Sequence, residues 1–197
     1  MNCGEKREWV RRALLLYAVT DRSWVGEMTF CEQVKASLDG GITLLQLREK
    51  GMAYDEFLRE AKDVKALADS YHVPFIINDN VEIALEADAD GVHVGQSDME
   101  AGRVRQKLGP DKILGVSART VEQALQAEKM GADYLGVGAV FATSTKEDAD
   151  VISRDTLKEI CQAVSIPVVA IGGIRRDNMM QLTGSGAAGV SVISGIY

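Results

Sequence analysis

Three polar side chains at alternating positions, Gln46, Arg48 and Lys50, are well suited to binding a strongly charged group. They follow the apolar segment Ile42–Leu45, and alternate side chains of an extended backbone point to the same face. An amide and two cations would make a poor apolar core, but arginine offers a planar fork of donors and lysine a mobile charge. The spacing therefore predicts a polyphosphate-binding strand end. The alternative is an edge strand with a solvated polar face.

Two aspartates supply the hard oxygen ligands that a magnesium ion prefers. Asp79 and Asp98 follow two successive apolar runs, so we expect their carboxylates to converge at neighbouring strand ends. Mg²⁺ is usually held by one or two carboxylates, keeps several waters and binds substrate phosphates. Either aspartate alone could instead cap the helix that follows it. The pair beside a cluster of cations favours a metal site.

A second anion-binding pocket is predicted after the last two apolar runs. Gly172 and Gly173 permit close backbone approach to a ligand, and Ile193-Ser194-Gly195 offers backbone N–H groups and a hydroxyl. The first pocket, rich in Arg, Lys and metal, suits a pyrophosphate. The second, built of backbone and hydroxyl groups, suits a monophosphate.

Eight short aliphatic runs alternate with helical patterns and position these side chains. We predict strands at Leu14–Thr20, Leu44–Arg48, Phe75–Asn78, Gly91–Val94, Ile113–Ser117, Tyr134–Gly138, Val168–Ile171 and Gly189–Ile193. Runs of this kind, bounded by Gly, Asp, Asn or Pro, are typical of buried parallel strands. They predict a single α/β domain over residues 1–197, a (β/α)8 TIM barrel whose active site lies at the carboxyl ends of the strands. A doubly wound open sheet is the structural rival.

The sequence leaves no room for a final helix, because it ends at Tyr197, just after the eighth predicted strand. Two explanations stay open. Other packing replaces the helix, such as a partner chain in a homo-oligomer, or the sequence is a shortened form.

Composition excludes several classes of protein. The 197 residues are 46% hydrophobic and carry a net charge of -7, which argues against nonspecific nucleic-acid binding. No run of about 18 apolar residues predicts a membrane span, and the polar segment Met1–Arg12 lacks the apolar core of a secretory signal. Cys3, Cys31 and Cys161 are too few and too scattered for a disulfide framework. We therefore expect a cytoplasmic protein.

The order of these motifs resembles the thiamine-phosphate synthase family over almost the whole chain. The motifs that carry the resemblance are Tyr17-Ala18-Val19-Thr20-Asp21, Gln46-Leu47-Arg48-Glu49-Lys50, Ile77-Asn78-Asp79, Asp90 through Asp98, Gly115-Val116-Ser117, Thr143-Ser144-Thr145-Lys146 and Gly172-Gly173-Ile174. Each motif is modestly specific, but the full set in this order is highly specific.

The resemblance implies a transferase that joins 4-amino-2-methyl-5-(diphosphooxymethyl)pyrimidine to a thiazole phosphate, or to its carboxylated precursor, and releases pyrophosphate. It assigns Mg²⁺ to Asp79 and Asp98. It assigns the pyrimidine diphosphate to Gln46, Leu47, Arg48, Glu49, Lys50, Asn78, Ser117 and Lys146. It assigns the thiazole phosphate to Thr143, Ser144, Thr145, Gly173, Ile193 and Ser194. Arg48, Lys50, Lys146 and Ser117 are the expected catalytic residues.

Two alternatives to this function remain at the level of sequence. One is a related thiazole tautomerase, against which the full cation set and both aspartates argue. The other is a non-catalytic barrel that binds thiazole phosphate. His93 lies inside a strand pattern, and we interpret it as a packed barrel residue rather than a catalyst.

Overall fold

The computed structural model describes residues 3–24, 28–95, 101–143 and 151–196. Eight parallel strands close into a barrel in which each strand pairs with the next and β8 pairs with β1. The strands are β1 (Leu16–Val19), β2 (Leu44–Leu47), β3 (Phe75–Asn78), β4 (Gly91–Val94), β5 (Ile113–Ala118), β6 (Tyr134–Gly138), β7 (Val168–Ile171) and β8 (Gly189–Val192). Closure confirms the predicted barrel and excludes the open sheet. Every predicted strand is found, with ends displaced by no more than about two residues.

The helices lie outside the barrel, apart from the first. They are α1 (Cys3–Ala13), α2 (Phe30–Asp39), α3 (Tyr54–Ser70), α4 (Val81–Glu86), α5 (Ala101–Leu108), α6 (Val121–Lys129) and α7 (Arg154–Ala163). Two short 3₁₀ helices cover Arg22–Trp24 and Met179–Leu182. The second of these takes the place of an α-helix between β7 and β8. No helix in the described ranges is long and apolar enough to cross a membrane.

The hydrophobic core has two layers. The outer layer packs strand side chains such as Leu45 and Ile77 against the helices. The inner layer fills the barrel with Tyr17, Tyr134 and aliphatic side chains from other strands, such as Leu44, Ile76 and Val169. This division follows from the period-2 alternation of strand side chains, and it makes the barrel interior a packed core rather than a pore.

Helix α1 covers the amino-terminal end of the barrel. Its Val10 and the following Leu14 are buried in the inner layer against Tyr17 and Tyr134. The Lys6 Nζ donates to the carbonyl oxygens of Pro110 and Lys112, just before β5, at 2.8 and 3.1 Å. The carboxyl ends of the strands are therefore the end left for ligands.

Candidate functional site

The carboxyl ends of β2 and β3 bring together the first set of predicted site residues. The register pairs Gln46 with Ile76 and Leu47 with Ile77, so the next residues, Arg48 and Asn78, follow at the same level. Gln46 is buried inside the barrel, Arg48 is partly buried and Lys50 is exposed. This gradient is the one expected for a face that runs from the core into a binding site. The Leu47 side chain, by contrast, packs in the outer layer.

The loop after β1 holds Arg48 in place. The Arg48 backbone N–H donates to Thr20 Oγ1 at 3.0 Å, and the guanidinium lies 3.4 Å from Asp21 Oδ2. Burial opposes ionisation of Asp21, but hydrogen bonds from Ser23 and the charges of Arg48 and Lys50 outweigh it and keep the pKa of this carboxyl below its usual value. Only 10% of the Arg48 side chain is exposed, so its charge is partly desolvated and correspondingly strong toward an anion.

Glu49 points away from these cations and belongs to a second cluster. Its Oε1 lies 2.9 Å from Arg22 Nε, and the same guanidinium contacts Glu60. Burial raises the pKa of Glu49 to about 7, against the opposing effect of Arg22, and the nearby Glu60 adds to the rise. The side chain is 5% exposed. Glu49 thus links the segment after β2 to the 3₁₀ helix after β1.

The raised pKa of Glu49 predicts a pH-dependent stability. The folded chain keeps a proton that the unfolded chain releases above the usual pKa of 4.5, so the free energy of unfolding falls as the pH rises from about 4.5 to about 7. Glu49→Gln removes this titration. We compare the melting temperature of the variant with that of the parent at each pH. We expect the difference, variant minus parent, to be larger at about pH 8 than at about pH 5, by about 3 °C or more.

Calorimetric melting at the two pH values measures this difference. Glu82→Gln is the matched control, because that carboxyl is exposed and Lys107 lowers its pKa. Parallel pH profiles for the parent and Glu49→Gln would contradict the assignment.

Asp79 is held in an unusual backbone conformation at the end of β3. Its φ is +62°, a left-handed value that costs energy in a residue with a Cβ. Its N–H donates to the His93 carbonyl at 2.8 Å, and Asn78 Nδ2 donates to Asp79 Oδ2 at 2.6 Å. The helix cap is Asn80, whose side chain accepts from the Ile83 N–H at 2.9 Å. Asp79 is therefore not the cap of α4, and the capping alternative for this residue is excluded.

A cavity of about 410 Å³ opens beside Asp79. Its lining includes carboxylates, amides and apolar side chains: Glu49, Gly51, Met52, Phe57, Asn78, Asp79, Asn80 and Glu82. The carboxylate oxygens of Asp79 fit the hard-oxygen preference of Mg²⁺. No group of three or more His, Cys, Asp or Glu side chains lies together as a metal site within the described ranges. The second predicted ligand, Asp98, lies outside them.

A chain of hydrogen bonds crosses the barrel interior and ends at Ser117. Gln46 Nε2 donates to the Tyr17 hydroxyl, which lies 2.9 Å from the Tyr134 hydroxyl. The Tyr134 hydroxyl lies 2.9 Å from His93 Nδ1, and His93 Nε2 lies 3.0 Å from Ser117 Oγ. Burial raises the pKa values of both phenols well above the usual 10, and each phenol keeps its proton. His93 is packed as predicted, and it also contacts a predicted site residue.

The described residues that are predicted to bind the thiazole phosphate follow the carboxyl ends of β6, β7 and β8. Gly173 has a φ of +65°, and a Cβ there would lie 2.4 Å from the Ala142 carbonyl oxygen. Glycine is thus required at position 173 because the protein's own backbone, rather than a ligand, approaches it closely. Ile193 follows β8 directly and packs against the inner layer, and the next residue, Ser194, is partly exposed. Thr143 is partly exposed at the end of a described range.

Several predicted residues lie outside the described ranges: Asp98, Ser144, Thr145 and Lys146. Sequence reasoning missed Asp21, Arg22 and Tyr134 as supports of the site. Asp21 carried a signal, because it ends one of the quoted motifs. Tyr134 carried none, because its partners are 41 and 117 residues away in the chain.

The chain is similar to known proteins both in sequence and in structure. Residues 16–196 match the model of a protein family described as thiamine monophosphate synthase. A thiamine-phosphate synthase of Ruminiclostridium cellulolyticum is 53% identical over 181 residues, which make up 92% of this chain and 86% of that protein. One from Clostridium tetani is 51% identical over 181 residues, or 92% and 87%. The solved structure of a thiamine phosphate pyrophosphorylase from Pyrococcus furiosus matches with a TM-score of 0.86 and 42% identity, over 94% of this chain and 88% of that one.

Proposed function

We propose that this chain, which belongs to the thiamine monophosphate synthase family, joins an aminopyrimidine diphosphate to a thiazole phosphate to give thiamine phosphate and pyrophosphate. Membership of the family makes it a transferase of thiamine biosynthesis. The observation that best supports the proposed chemistry is the juxtaposition of Arg48 and Asn78-Asp79 at the carboxyl ends of two paired strands. Cations and a carboxylate side by side are what a diphosphate with a bound metal requires.

The reaction is a substitution in which the leaving group carries the developing charge. The bond from the pyrimidine methylene carbon to the diphosphate oxygen breaks, and its electron pair leaves with pyrophosphate. The electron-rich aminopyrimidine stabilises the carbon, and the thiazole nitrogen lone pair then forms the new C–N bond. No proton has to be removed from that nitrogen, so the site needs no general base.

Two separate groups of residues bind the two anions, the departing pyrophosphate and the thiazole phosphate. Arg48, Lys50 and Lys146 stabilise the charge that grows on the departing pyrophosphate. The side chains of Gln46, Asn78 and Ser117 and the backbone at Leu47 and Glu49 complete that subsite. Thr143, Ser144, Thr145, Gly173, Ile193 and Ser194 bind the thiazole phosphate and align its ring with the reacting carbon.

Asp79 and Asp98 would hold Mg²⁺, which when bound neutralises charge on the diphosphate. The position of Asp79 at the carboxyl end of β3, where Asn80 rather than Asp79 caps α4, supports this assignment.

An end-point assay with both substrates tests the proposal. We expect thiamine phosphate and pyrophosphate to form in equal amounts in the presence of Mg²⁺, and formation of both to stop when the metal is removed with a chelator. A thiazole tautomerase would convert the thiazole phosphate without releasing pyrophosphate, and a binding barrel would convert neither. Either result would contradict the proposal.

We further propose that the chain works in the cytoplasm on small-molecule substrates, without nucleic-acid or membrane partners. The net charge of -7 supports the absence of nonspecific nucleic-acid binding.

A further inference from the structure

We infer that His93 is a positioning residue that sets the direction of the Ser117 hydroxyl, so that Ser117 donates its proton to the substrate diphosphate. The inference rests on the proposed assignment of Ser117 to the diphosphate subsite. Its physical basis is the hydrogen-bond chain from Gln46 through Tyr17, Tyr134 and His93 to Ser117.

The direction of the chain is fixed at its buried end. An amide nitrogen can only donate, so the Tyr17 oxygen accepts from Gln46 Nε2. The single Tyr17 proton is then donated to Tyr134, because a buried hydroxyl proton without an acceptor costs free energy. The Tyr134 proton is donated in turn to His93 Nδ1.

This leaves one tautomer for His93. Since Nδ1 accepts, the ring proton lies on Nε2 and is donated to Ser117 Oγ. The Ser117 oxygen therefore serves as an acceptor inside the barrel, and its own proton is directed to an acceptor elsewhere. A diphosphate oxygen is an acceptor without protons to give, so a serine fixed as a donor matches it.

Two of the three rings in this hydrogen-bond chain, those of Tyr134 and His93, pack directly against glycines. A Cβ at Gly115 would lie 2.2 Å from Cζ of Tyr134, and a Cβ at Gly136 would lie 2.9 Å from Cε1 of His93. Both glycines lie on strands of the barrel, β5 and β6. Their missing side chains let the phenol and the imidazole approach the barrel wall closely. The geometry of this hydrogen-bond chain is thus determined by the strands themselves rather than by loops.

The tautomer can be measured directly, because the protein has only two histidines, His72 and His93. In a sample labelled with ¹⁵N-histidine, we expect the His93 ring to show a protonated Nε2 and an unprotonated Nδ1 near neutral pH. Tyr134→Phe removes the donor to Nδ1 and should shift the Nδ1 resonance. A proton on Nδ1 in the parent protein, alone or with one on Nε2, would overturn the inference.

The functional consequence is measured by titrating inorganic pyrophosphate with Mg²⁺ in a calorimeter. We expect His93→Leu to weaken binding about 10-fold, the effect of misdirecting one hydrogen bond to a charged group. His93→Gln offers a side-chain N–H in place of Nε2 and should recover most of the affinity. Ser117→Ala should weaken binding to a similar extent.

The double variant separates positioning from packing. If His93 acts through Ser117, adding His93→Leu to Ser117→Ala causes no further loss of pyrophosphate affinity. A further loss of about 10-fold, or unchanged affinity in His93→Leu itself, would refute the inference. If His93→Leu does not fold, as judged by circular dichroism, Tyr134→Phe takes its place in the same cycle. None of these measurements needs turnover, so an inactive parent would refute the proposed reaction and leave this test intact.

Discussion

Replacing Asp98 with alanine is expected to abolish Mg²⁺-dependent release of pyrophosphate while the protein stays folded. One carboxylate is a poor site for a hydrated cation, and Asp79 alone would remain. The leaving diphosphate would then keep charge that the Arg and Lys side chains cannot fully offset. Pyrophosphate release, followed with a coupled assay across a Mg²⁺ titration, measures the effect.

Asp111→Ala is the matched control for the loss of one carboxylate. Asp111 is exposed and lies just before β5, at the end of the barrel opposite the site. We expect it to retain the parent's Mg²⁺ dependence. Parent-like activity of Asp98→Ala in chelator-treated buffer would contradict the assignment of Asp98 to the metal.

Lys146→Ala is expected to lower kcat by roughly 100-fold or more, the effect of losing one preorganised electrostatic stabiliser. Lys146 is assigned to the pyrophosphate, whose charge grows in the transition state. Interactions that are stronger in the transition state than in the ground state change kcat, whereas equal interactions change KM. Steady-state kinetics with each substrate varied separately measure both constants.

Ser194→Ala is the contrasting variant in the same experiment. Its partner is the thiazole phosphate, whose charge does not change during the reaction. We expect a higher KM for that substrate with a nearly constant kcat, since one hydrogen bond to a charged group is worth about 1.5–3 kcal/mol. The assignment of Lys146 and Ser194 to different anions would be contradicted by either of two results. One is that Ser194→Ala raises only the KM for the pyrimidine diphosphate, and the other is that Lys146→Ala changes only the KM for the thiazole phosphate.

The strands could be predicted from sequence because burial on both faces leaves a local signal. Segments such as Phe75–Asn78 and Val168–Ile171 are continuous aliphatic runs that end at polar or glycine residues. Helix α1 could not be predicted in the same way, because it is rich in charge and buries only a few side chains, among them Val10. Its place at the bottom of the barrel depends on contacts with residues more than 100 positions away, such as Pro110.

The site was predictable where its residues are neighbours in sequence. Arg48 and Lys50 follow β2 as the alternation indicates. Asp79 had two competing interpretations, and the sequence could not separate them because Asn80 is an equally good cap. Tyr17 and His93 lie in two of the motifs that carry the family resemblance, but no local signal predicted their hydrogen bonds to Tyr134. Each of these residues has an ordinary strand environment, and only closure of the barrel brings their polar atoms together.

Because α1 covers one end of the barrel, it also determines where ligands can enter and leave. With that end closed and the interior filled by Tyr17 and Tyr134, two substrates and two products must share one entrance. Every ligand therefore has to enter and leave at the carboxyl ends of the strands, independently of how fast the bond is made.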